Sequence, residues 1–173
     1  MIMPRGSDQL LLPANPLWIA FTLLLALGLN LVPFGRVPAM PDWLALALAF
    51  WAVHQPRRVG VGVAFCAGVL MDVHQGALLG QHALAYTLLA YGAIAMHRRL
   101  LWFGLAQQAL HVLPLFVLAA VVALLVRMAA GGMWPGWGAL IAPLLEALLW
   151  PLATWLLLAP QMRPPDPDKN RPL

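Results

Sequence analysis

Apolar residues along this chain gather into six blocks, at residues 16–34, 41–54, 59–73, 76–97, 100–128 and 139–158. The breaks between them are short and rich in Pro, Gly and Arg. Apolar runs near the length of a bilayer crossing predict membrane-spanning helices. The first block makes a helix of about 28 Å and is read as a retained span rather than a cleaved leader. The second and third are short, about 21–23 Å against a hydrocarbon core of about 30 Å. A re-entrant hairpin would bury Arg57 and Arg58 at its tip, so two spans with both arginines at the surface cost less, with local thinning of the bilayer. The fourth block carries Gln81, His82, Tyr86 and Tyr91. The fifth is about 40 Å long and must tilt, bend or begin along the interface, with Pro114 as its natural kink. Trp134 and Trp137 mark an interfacial turn before the sixth, which contains Glu146 and Pro151.

Composition agrees with the pattern. Of 173 residues, 62% are hydrophobic and 9% charged, against about 25% charged in a soluble domain. The expected architecture is all-α: one transmembrane domain over residues 1–160, a polytopic bundle of six helices, and a disordered cytoplasmic Pro/Arg-rich tail over 161–173. The net charge of +4 does not point to nucleic acid, because the basic residues lie singly or in pairs between apolar blocks. They act as topology determinants. With the N-terminus inside, the inner segments hold Arg5, Arg57, Arg58, Arg98, Arg99, Arg163, Lys169 and Arg171, and the outer ones only Arg36 and Arg127. Both termini are then cytoplasmic, and Asp72 and His74 lie at the outer face.

The third block has a further pattern. Gly60, Ala64, Gly68 and Asp72 recur every fourth residue and share one helix ridge. Small residues on such a ridge let another helix approach closely, which marks these four as partner or helix-packing candidates. Asp72 is read either as a solvated residue of an outer turn or as an anchor bound to Arg36, Arg127 or a partner protein. Glu146 is the sharper anomaly, about 10 Å deep, at a level overlapping Gln107, Gln108 and His111. The expectation is a structural polar clamp between the fifth and sixth helices, with a proton or ion pathway as the alternative.

The sequence lacks the parts for most chemistry. Ser7 is its one serine, and neither G-x-S-x-G, H-E-x-x-H nor a phosphate-loop run is present. The spacing of Asp72, His74 and His82 matches no closed metal site, and the lone Cys66 cannot form an internal disulfide. No cofactor or metal is expected.

The run FWAVHQPRRVGVGVAFCAGVLMDVHQGALLGQHALAYTLLAY resembles the rod shape-determining MreD family of Gram-negative bacteria. Its recognisable parts are Phe50-Trp51, Pro56-Arg57, Val59-Gly60, Gly68, Asp72, Gly76, Leu79-Gly80 and the segment from His82 to Tyr86. The resemblance implies a non-enzymatic component of the inner-membrane complex that directs side-wall peptidoglycan synthesis and rod shape. It implies MreC as direct partner, with MreB, RodZ, RodA and a class B penicillin-binding protein as complex members, in contact with membrane lipid. It further implies a fold similar to the substrate-binding subunits of energy-coupling-factor transporters, and hence an alternative function, a vitamin-like binding subunit. The near absence of Ser, Thr and Asn from the outer loops argues against a pocket for a polar ligand.

Overall fold

The structure is a computed structural model that describes residues 14–32 and 40–161. Among these residues there are six α-helices and no strand: α1 (Pro16–Leu31), α2 (Trp43–His54), α3 (Val61–Gln75), α4 (Gln81–Leu100), α5 (Leu105–Ala129) and α6 (Ala142–Leu158), with short 3₁₀ turns at Trp137–Leu140 and Ala159–Gln161. One helix falls in each apolar block. The positions 33–39, including Arg36, and the tail from 162 lie outside the described residues, as does the N-terminal segment with Arg5.

Local sequence sets where several helices begin. Asn15 accepts the Leu17 N–H at 2.9 Å and is followed by Pro16, a cap and a first-turn proline in succession. Asp42 caps α2 by accepting the Ala45 N–H at 2.9 Å. Pro143 occupies the first turn of α6. α5 and the helical stretch Trp137–Gln161 are each 25 residues and apolar enough to cross a membrane, whereas α1, α2 and α3 are apolar but shorter.

The centre of the bundle is α2. Every residue from Leu44 to Val53 is buried, and α4, α1 and α6 pack around it. A helix apolar on all sides needs neighbours on all sides, which explains why the shortest helix is innermost. Phe50 and Phe116 meet Trp150 at ring-centroid distances of 6.1 and 6.3 Å, joining α2, α5 and α6 in one aromatic cluster. Polar links inside the core are few. Trp51 donates its indole N–H to Thr22 at 2.9 Å, and Trp18 donates to the Leu157 carbonyl at 3.1 Å. The outward faces are hydrocarbon, with Phe21 and Leu24 of α1, Leu118 and Leu125 of α5, and Leu148 and Leu152 of α6 all exposed.

Two apolar grooves interrupt this surface. One, of about 380 Å³, opens between α1 and α3 over a floor of Leu44 and Leu48, with Gly62, Cys66 and Leu70 on its α3 wall. The other, of about 310 Å³, lies between α1 and α6. Charge is segregated along the helices. Among the described residues the only acids, Asp42, Asp72 and Glu146, lie at the end where α2, α4 and α6 begin. Arg57, Arg58, Arg98 and Arg99 occupy the opposite end, where Arg58 donates to the carbonyl of Ala14.

Candidate functional site

The acids build two adjoining structures at that end. The first joins α3 to α4. Gly80, the residue before α4, has φ +109°, a conformation that favours glycine, and caps the helix with no side chain of its own. Asp72 supplies the missing cap from α3. Its carboxylate accepts the backbone N–H groups of Gly80 at 2.8 Å, His82 at 2.7 Å and Ala83 at 3.3 Å, and His82 Nδ1 lies 2.8 Å from Oδ1. A buried carboxylate is tolerated because the orphan donors and the positive end of the α4 dipole converge on it.

The expectation of a solvated turn residue, or of an anchor to Arg127, is therefore corrected. Asp72 is fully buried, its carboxylate is held by the N–H groups of Gly80, His82 and Ala83 and by the His82 ring, and the pairing with Arg36 lies outside the described residues. The small-residue ridge has the same neighbour. A Cβ placed on Gly68 would lie 2.4 Å from Ala83 Cα, so α3 and α4 touch backbone to backbone there. Ala64 is buried and Gly60 half-buried. The ridge is used within the chain.

The second structure joins α1, α2, α4 and α6. Asp42 accepts from Asn30 Nδ2 at 2.7 Å and from the Tyr86 hydroxyl at 2.5 Å, in addition to its cap bond. Asn30 Oδ1 accepts the Trp43 N–H at 3.0 Å, and Glu146 Oε1 accepts the Asp42 N–H at 3.0 Å. Glu146 is thus drawn to the start of α2 rather than to α5, which corrects the expected clamp with Gln107, Gln108 or His111. Gln107 is exposed, His111 stacks on Phe103 at 4.5 Å, and Gln108 accepts the Trp150 indole N–H at 3.2 Å. The polar link between α5 and α6 runs through Gln108 and Trp150.

Between these structures lies a cavity of about 150 Å³. Asp42, His82, Tyr86 and Glu146 are its polar wall, and alanines of α2, α4, α5 and α6 with Phe116 and Pro143 form the rest. Asp42 and Tyr86 are the members that sequence reasoning missed. A signal for Asp42 was present, since Pro-Asp directly before an apolar run is a helix-start pattern. Tyr86 resembled an interfacial anchor, yet it is buried, as is Trp150. The cluster can bind charge and fix helix positions, and it contains no Ser or Cys to act as a nucleophile.

Comparison with known proteins gives the family. The family model for rod shape-determining protein MreD matches residues 12–159, nearly the whole chain. The chain belongs to the MreD family. The rod shape-determining protein MreD of Haemophilus influenzae is 30% identical over 142 residues, covering 80% of this chain and 83% of that protein. No solved structure matches the chain. Family membership assigns a role in rod-shape determination, and the residues of the cluster fall inside the matched range.

Proposed function

We propose that this MreD-family protein is a non-enzymatic, multi-pass component of the inner membrane that acts as a scaffold for MreC in the rod complex. Through MreC it joins MreB, RodZ, RodA and a class B penicillin-binding protein in side-wall peptidoglycan synthesis. The family match over residues 12–159 carries the rod-shape role. In this reading all six helices cross, in a bundle like that of the energy-coupling-factor subunits. Arg57, Arg58, Arg98 and Arg99 hold the cytoplasmic end, and both termini are cytoplasmic.

One observation favours a specific contact for MreC. The ridge of Gly60, Ala64, Gly68 and Asp72 is occupied by α4 over its buried part, leaving the opposite face of α3 free to receive a partner helix. That face carries Gly62 and Cys66 four residues apart on the wall of the open apolar groove. Cys66 is the chain's one cysteine and is exposed, so it reports on the groove without an engineered label. A photo-cross-linker attached there should capture the MreC membrane segment in membranes, and Gly62→Leu should weaken MreC co-purification at unchanged abundance. Normal MreC recovery with Gly62→Leu would remove MreC from this groove. Failure of the wild-type gene to restore rod shape in a strain lacking its own MreD, with its native MreC supplied, would overturn the broader role.

A further inference from the structure

Glu146 is 5% exposed, and only one of its carboxyl oxygens has a partner, the Asp42 N–H. No donor among the described residues reaches Oε2, and this oxygen is not among the fully occluded unpaired atoms, so it meets the open space of the cavity that Glu146 lines. The charges around it are one-sided. Asp42 faces it from α2 and Asp72 stands behind His82 from α3. Tyr86 and His82 face the cavity from α4, while α1 contributes the neutral Asn30 and α5 only apolar side chains. Arg127, the nearest arginine along α5, is a turn beyond Ala123 and does not line the space.

A carboxylate so placed needs a positive charge, and the wall supplies none apart from a His82 already bound to Asp72. We infer that the cavity between α2, α4, α5 and α6 is a binding site for one small monovalent cation, a sodium ion or a proton, held at the free oxygen of Glu146. Its volume suits that ligand, because about 150 Å³ holds an ion with a few waters at roughly 30 Å³ each. The half-buried Ala120, Ala123 and Ala142 line the cavity between α5 and α6. The site is independent of the proposed MreC contact, which lies on the far face of α3.

Thermal unfolding of the purified full-length protein tests this, comparing sodium chloride with choline chloride at several fixed pH values. At a hundredfold excess over Kd, a bound cation should raise the wild-type Tm by about 5–10 °C. Glu146→Gln should lose that response while retaining the amide-to-oxygen bond to Asp42. Sodium-specific stabilisation that fades on acidification identifies sodium. Stabilisation on mild acidification, without a sodium effect and absent from Glu146→Gln, identifies the proton. Asp42, Asp72 and His82 remain in the variant, so their titration is common background. Equal responses in both proteins, or none in either, would overturn the site. If Glu146→Gln fails to accumulate, Ala120→Leu fills the cavity from α5 and should abolish the same response, and an undiminished response in that variant would overturn the site equally.

Discussion

The junction of α3 with α4 and the junction of α2 with α6 each bury a carboxylate, and they treat it in opposite ways. Asp72 receives three backbone N–H groups and a histidine, whereas Glu146 receives one N–H and turns its other oxygen to a cavity. Asp72 closes a helix end against a backbone that touches its own, with Gly68 pressed on Ala83. Glu146 sits where α5 presents only apolar side chains to the cavity, Phe116 and three alanines. The number of donors around a buried charge separates a structural cap from a group free to bind something else.

That contrast can be broken most directly at Asp72. Asp72→Ala should cost about 3–5 kcal/mol, since it strands the α4 donors and leaves His82 without its partner. Asp72→Asn should lose less, because the amide oxygen still accepts from the backbone. Tm in detergent and abundance in membranes measure both, and a mild Asp72→Ala would mean that the cap is dispensable.

Next in size is the backbone contact. Gly68→Ala should destabilise by about 3 kcal/mol, the upper end for overpacking, because the obstructing atoms are backbone and cannot rotate away. Gly92→Ala is the matched control. Its new methyl would meet only Leu115 Cδ2, at 2.7 Å, which can turn aside, and alanine returns about 1 kcal/mol of helix propensity. Its Tm should barely move.

Tyr86→Phe should cost about 1.5 kcal/mol, the loss of one hydrogen bond to a charged acceptor. The smallest effect belongs to Glu146→Gln, below about 1 kcal/mol when the cation is absent. Measured beside Asp72→Asn in choline at one pH, it sharpens the comparison. Equal losses for the two amides would show that Glu146 is as much a structural bond as Asp72.

The helices were legible because apolar blocks and proline or glycine breaks act locally, and each block contains one helix. The ridge on α3 was legible as a close-packing surface, since four-residue spacing fixes a face. Its neighbour was not, because spacing says nothing about which helix arrives. The same gap explains Glu146. Depth along two helices brought it level with Gln107, Gln108 and His111, but rotation about each axis decides contact, and α6 turns Glu146 toward the start of α2 while Trp150 meets Gln108. Tyr86 and Trp150 stayed open between interfacial anchor and packing for a related reason. Their types suit an interface or a core equally well, and only the packing of three helices around α2 places them inside.

The burial of α2 has a consequence for how the chain is made. At 12 residues, α2 extends only about 18 Å and cannot bridge a bilayer alone. Of its three neighbours only α1 precedes it, and the other two emerge from the ribosome later: α4 begins at Gln81 and α6 at Ala142. At about 5–20 residues per second, α2 waits roughly 5–20 s for the start of α6 to complete its sheath. During that interval Asp42 lacks both Tyr86 and Glu146, and the insertion machinery must shelter a half-formed bundle. A ribosome stalled before residue 142 should therefore leave α2 open to a lipid-soluble label that the finished protein excludes.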